Sequence, residues 1–224
     1  MYNLEIWDIK TKKYNNFQEV KVMKKYELAM GIEMETNVAG KKLYRIIAIR
    51  DFGKVKAGAI GGYVESEACL SHEDDCWIAD DAMVYGGARV EGNVQVLDEA
   101  IVSGDVVLED NVRVDGDAKI QNRTETCITI GGNIHIASGA LIENADNFAS
   151  ITTHQGTISL FRNDENGIDI CFYDNDDKLV HQSVSEFLVE NTEAGNLSYV
   201  EIILFGALSE IEQTVKAKAA ALSR

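Results

Sequence analysis

Through the middle of the chain one apolar residue recurs at every sixth position: Ile78, Val84, Val90, Val96, Val102, Leu108, Val114 and Ile120. Two positions before each stands a small or β-branched residue, namely Cys76, Ala82, Ala88, Val94, Ala100, Val106, Val112 and Ala118. Two positions after stands a turn former: Asp80, Gly86, Gly92, Asp98, Gly104, Asp110, Gly116 and Asn122. Side chains alternate between the two sides of a strand, so the apolar residue and its small partner face one way and the residue between them faces the other. Gly, Asp and Asn let the backbone bend after each short flat. The pattern predicts three flats per turn of roughly eighteen residues, stacked as parallel strands into a triangular solenoid.

The limits of this beat divide the chain. It begins near Ala57–Val64 and steps by six from Val64 to Leu70 but by eight from Leu70 to Ile78, so Ser71–Asp75 must bulge outward. Loops interrupting a rigid scaffold are frequent carriers of function. A second break at Gln121–Thr126 shifts the phase before Ile130, Ile136 and Ile142 resume it, for about five coils in all. Upstream, the apolar runs Tyr26–Met30 and Leu43–Ile49 flank Asn37–Gly40 and predict a strand pair covering the start of the prism. Residues 1–22 read as an extension, with a strand at Leu4–Ile9 and an undetermined helix or strand around Phe17–Met23. Beyond Ala149 the beat stops. Gly156–Arg162 and Ile168–Tyr173 alternate around Asn163–Gly167 as a hairpin, and Ser183 with Glu186 and Ser198 with Glu201 match capping boxes that open two helices. The second helix would carry Val200, Ile203, Leu204, Ala207, Leu208, Ile211 and Val215 on one face. The organisation expected is a β cap at 1–55, a β-helix at 56–150 and a hairpin-plus-helices α+β module at 151–224.

Composition narrows the function classes. In 224 residues, 21 basic against 37 acidic side chains leave a formal charge of −16, which opposes nonspecific binding to nucleic acid and to anionic membranes. The N-terminus lacks a basic stretch followed by an apolar one, and the longest apolar run, Val200–Leu208, contains Glu201 and is too short for a bilayer. A cytoplasmic location is the expectation. Cys69, Cys76, Cys127 and Cys171 show neither zinc-site spacing nor disulfide density, so no metal and no cofactor are expected.

One stretch is more specific than the repeats. Leu43–Ile46, Asp51-Phe52-Gly53, Lys56-Ala57-Gly58, Gly61–Glu65, Leu70–Glu73 and Cys76-Trp77-Ile78, followed by the repeats, resemble phage and prophage proteins of the left-handed hexapeptide-repeat β-helix class, often labelled transferases without an established reaction. The tail from Gly156 through Val184–Leu188 resembles that group's small terminal module. The resemblance implies a mainly β, left-handed parallel β-helix, a homotrimer and a host-cell setting. That setting, the lack of a paired catalytic constellation and the grooves a trimer would create together suggest a non-enzymatic binding role in counter-defence: capture of a small, cyclic nucleotide signal, or blockade of a host immune protein. The alternatives are an acyl-CoA-dependent acyltransferase and a structural scaffold.

Candidate residues follow from these readings. In the trimer reading, Trp77, Met83, Tyr85, Leu97 and Ile101 form an outward apolar patch for a threefold interface. For a phosphate-bearing ligand, Arg45, Arg50, Lys54 and Lys56 are the densest basic cluster and lie beside Tyr44, Phe52 and Tyr63; Arg89 and Arg113 on the prism faces are further candidates. Gly58, Gly61 and Gly62 permit close backbone approach without matching a P-loop. In the acyltransferase reading the catalytic base is His72, in the bulge beside Glu73; the plainer reading is a solvated loop histidine. His135, between Ile134 and Ile136, should face outward, and the four histidines are too far apart in sequence for a three-histidine zinc site. Asp80 with Asp98, and Asp81 with Glu99 and Asp117, should stack at about 4.8 Å between coils, where water or a hard cation would screen them.

Overall fold

All eight beat residues from Ile78 to Ile120 are fully buried, and so are their eight small partners. The computed structural model describes residues 7–8, 13–14, 23–35, 40–153, 156–174 and 176–193, and its middle is a β-solenoid of stacked parallel coils. One face is built from Ile60–Val64, Met83–Tyr85, Ile101–Ser103, Lys119–Gln121 and Leu141–Ile142. The second carries Arg89–Val90, Val106–Leu108 and Ile128–Ile130, with Leu70 bridged to Val90 above them. The third carries Trp77–Ile78, Gln95–Val96, Arg113–Val114 and His135–Ile136. Each buried Val, Leu or Ile contributes about 1.5–3 kcal/mol relative to exposure, and a small partner beside it is what lets three flats close on one narrow core.

Corners follow the turn formers. Asp80, Gly86, Gly92, Asp98, Gly104, Asp110 and Gly116 all have positive φ, the left-handed backbone a tight corner requires. The acidic corners have backbone partners. Asp98 Oδ2 accepts the Gly116 N–H at 2.9 Å, Asp110 Oδ2 that of Gly132 at 2.8 Å, and Asp117 Oδ1 that of Gly139 at 2.7 Å. A corner carboxylate thus binds the backbone of the following coil. Among the described residues no cluster of His, Cys, Asp and Glu is placed to hold a metal ion.

The two interruptions appear where the count breaks. The register advances by eighteen residues from Ile101 to Lys119 and by twenty-two from Lys119 to Leu141, the four additional residues lying in the 121–127 loop. Asn122 ties that loop down, with Nδ2 donating to the Asp105 and Thr126 carbonyls at 2.7 Å each.

Each end of the solenoid is covered. Tyr26–Glu35 and Lys42–Ala48 pair antiparallel and extend the first face through Ile60–Val64 into a seven-stranded sheet. Tyr26, Ile46, Ala48 and Phe52 join the buried core there. At the other end Phe148–Thr153, Gly156–Arg162, Ile168–Tyr173 and Leu179–Ser183 form one antiparallel sheet. The expected hairpin is its centre; the two outer strands lack the clean alternation that marks a strand in the sequence. Along Gly156–Arg162 the period of two is visible in the packing: Phe161 enters the solenoid core, while Ile158 and Leu160 face a second core with Ile170 and Val184. Helix Val184–Glu193 begins at a reciprocal cap, Ser183 Oγ accepting the Glu186 N–H and Glu186 Oε2 accepting the Ser183 N–H. Trp7–Asp8 pairs with Lys13–Tyr14 within the predicted extension. The second helix, its apolar face and most of the Phe17–Met23 segment lie outside the described residues.

Candidate functional site

The eight-residue step creates the candidate site. Before the bulge, Ser66 caps a short 3-10 turn, Glu67–Cys69, and the bulge then crosses the top of the second face. Lys25 shapes it from inside. Its fully buried ammonium donates to the Glu73 and Asp74 carbonyls at 2.9 and 3.1 Å and to Cys76 Sγ at 3.3 Å. Burial lowers the Lys25 pKa and raises that of Cys76, the two groups partly offsetting each other. The Tyr26 hydroxyl lies 2.8 Å from the Leu70 carbonyl, and its ring stacks on His72 at 4.3 Å between centroids.

Between this bulge and the next coil lies a cavity of about 270 Å³, lined by Glu67, Ser71, His72, Glu73, Arg89 and Glu91 among others. Lys24 holds Glu67 through both carboxylate oxygens, at 2.6 and 2.8 Å, and keeps its pKa below the usual value. The Lys25 backbone N–H donates to His72 Nδ1 at 3.4 Å, so the neutral ring carries its hydrogen on Nε2. Nε2 is buried without a hydrogen-bond partner, 3.8 Å from Glu67 Oε2. Desolvation lowers the His72 pKa against the opposing pull of Glu67. His72 is therefore a neutral, partly buried cavity wall, not a solvated loop side chain.

The other predicted residues disperse. Arg45 donates to the Gly61 and Asp80 carbonyls and to Asp81, with its guanidinium 4.2 Å over the Tyr63 ring. Phe52 is buried edge-on against Trp77, and Lys56 pairs with Asp51. Arg113 donates to Asp115, Lys54 is exposed, and Tyr44 and Arg50 are half-buried. Of this set only Arg89 joins His72 at the cavity. Trp77 and Tyr85, expected on the outer apolar patch, are each 5 % exposed. The strand pair and Phe52 cover Trp77, and Tyr85 lies in register with buried Ser103. Met83, Leu97 and Ile101 remain half-buried.

His135 also departs from its expected exposure. It points out of the prism, as its position requires, but the C-terminal sheet covers it. Its Nε2 lies 2.8 Å from Asp115 Oδ2 and its Nδ1 3.1 Å from the Tyr173 hydroxyl. Pairing Asp115 with His135 needs the twenty-two-residue step that follows Asp115, and Tyr173 comes from a separate sheet. No sequence spacing marks the three as neighbours.

No known protein-family profile matches the chain. Over 80 residues, 33 % of its length, it is 38 % identical to an uncharacterized acetyltransferase, YdcK, of Escherichia coli strain K12. The match covers 24 % of that protein. This local likeness and the solenoid fit hexapeptide-repeat, transferase-like proteins. Among the described residues no helix is long and apolar enough to cross a membrane.

Proposed function

We propose that the protein transfers an acyl group from a thioester donor to an acceptor held in the His72 cavity. The observation that carries this reading is the cavity itself. It is opened by the break in a hexapeptide scaffold, and His72, Ser71, Arg89 and three carboxylates converge on it. The local likeness to an acetyltransferase supports the same class. Ligand capture draws on the basic and aromatic cluster and on the prism-face arginines, yet Arg45, Phe52 and Tyr63 of the cluster, and Arg113 beside it, are engaged in contacts within the chain.

His72 serves the reaction as the proton-transfer group. Its 3.4 Å bond from Lys25 is the weak link in its environment. Release of that bond lets the ring turn about Cβ–Cγ and present an unprotonated nitrogen to the acceptor. Desolvation keeps the ring unprotonated near neutral pH, as a base requires. Arg89 faces the acyl donor's phosphates or the acceptor's anionic groups.

Acetyl-CoA turnover against a panel of amines and sugars tests the reading. His72→Ala should lower kcat by about 10²–10⁴ while leaving the fold intact, as loss of a general base does. Turnover unchanged in His72→Ala, or no turnover with any acceptor, would overturn it. Recovery of an unaltered nucleotide from heat-released protein would instead favour capture.

A further inference from the structure

The Asp115, His135 and Tyr173 contacts form an ordered chain of donors and acceptors. Asp115 Oδ2 also accepts from Arg113 Nε at 2.8 Å, so the carboxylate is ionised and can only accept. The hydrogen of the 2.8 Å contact therefore belongs to His135 Nε2. In the neutral ring His135 Nδ1 is then the acceptor, and the Tyr173 hydroxyl donates to it at 3.1 Å. The arrangement has the roles of a carboxylate, histidine and hydroxyl triad, recognised by geometry and not by chain order. His135 is 5 % exposed, which shields the dyad from water, whereas Tyr173 is 48 % exposed and meets solvent. The partners are firmly positioned. Ser159 Oγ donates to the His135 carbonyl at 2.6 Å and lies 3.1 Å from the Cys171 carbonyl, fixing the strand that carries Tyr173 against the coil that carries His135.

We infer that Tyr173 is an activated phenol nucleophile, a covalent site for acyl donors such as thioesters and aryl esters. Its oxygen attacks the acyl carbon, forming an ester bond as the carbon–sulfur or carbon–aryloxide bond breaks. The phenolic proton passes to His135 Nδ1 and leaves with the departing thiolate or aryloxide. The balance is Tyr–OH plus R–CO–SR′ giving Tyr–O–CO–R plus HS–R′. A free phenol is a poor nucleophile at neutral pH, and an adjacent oriented base is the standard means of activating a hydroxyl. The inference does not rest on the His72 cavity.

The full-length protein, incubated with 4-nitrophenyl acetate and separately with acetyl-CoA, is digested and mapped by mass spectrometry. Tyr44 and Tyr63, both half-buried, serve as reference tyrosines in the same molecule. Expected is one acetyl group on Tyr173, formed about 100-fold faster than on the references, a gain typical of general-base assistance. His135→Asn and Asp115→Asn should each erase most of that excess, while His72→Ala leaves it unchanged. Aryl-ester labelling of Tyr173 no faster than Tyr44, or equal labelling in folded Asp115→Asn, would overturn the inference and leave the three residues as a latch. Labelling in His72→Ala with no acceptor turnover would separate this site from the cavity.

Discussion

At the scale of single residues, two kinds of position limit what the chain can tolerate. The first is close backbone approach. A Cβ on Gly61 would sit 2.5 Å from the Ile78 carbonyl and the Trp77 ring, and one on Gly62 2.5 Å from the Ala82 carbonyl. None of these three neighbours is the free end of a flexible side chain. Gly62→Ala should therefore cost about 1–3 kcal/mol, the usual range for forced overpacking, read as a lowered denaturation midpoint. An unchanged midpoint would show that the first coil can shift to make room. The second kind is the ionised carboxylate of Asp115. Burial raises its pKa, but the bonds from His135 and Arg113 outweigh burial and the net shift is downward. Because folding lowers it, the group adds stability that is complete above its ordinary value of 3.8 and drains as the pH falls through the folded-state value. The melting temperature of the wild type should exceed that of Asp115→Asn near neutral pH, and the margin should close in acid below the ordinary carboxylate range. A margin independent of pH would show that the carboxylate charge is not what stabilises the contact.

At the scale of elements, the solenoid strands were legible in the sequence because each inward position is dictated twice, by the beat and by its small partner. Val94 and Val96 illustrate this, both fully buried on one flat. What period-two reasoning gives is direction relative to the prism. It says nothing of what later covers an outward residue. Trp77 and His135 both point out of the prism, yet the strand pair covers one and the C-terminal sheet the other. The same gap explains the candidate sites. His72 was legible as a bulge residue, but its place in a cavity wall depends on Lys25 and Tyr26, more than forty positions earlier in the chain. Arg45 looked available because its partners, Gly61 and Asp80, reach it only through sheet pairing. The strands Phe148–Thr153 and Leu179–Ser183 carry no clean alternation in the sequence, which an edge strand does not need.

At the scale of the whole molecule, the remaining outward apolar positions bear on assembly. Met83 and Ile101 lie in register on adjacent coils of the first face, and Leu97 follows the third-face strand Gln95–Val96. The resemblance to trimeric β-helices makes a threefold assembly the expectation, through a smaller patch than the sequence suggested, since Trp77 and Tyr85 are covered within the chain. Light scattering of the purified protein should return three times the 24.7 kDa chain mass, and Leu97→Arg should shift it towards one. A single-chain mass for the wild type at micromolar concentration would refute the assembly.

The seating of Phe161 and Cys171 in the core beneath the last coil has a consequence for solubility. Leu141–Ile142 would otherwise present its free amides and carbonyls to any passing strand, and a solenoid cut flat at that rung is a template on which another copy can grow. The terminal sheet should thus act as a stop against fibre elongation. A chain ending at Asn147 should polymerise end to end, visible as filaments by electron microscopy, whereas the full chain stays dispersed.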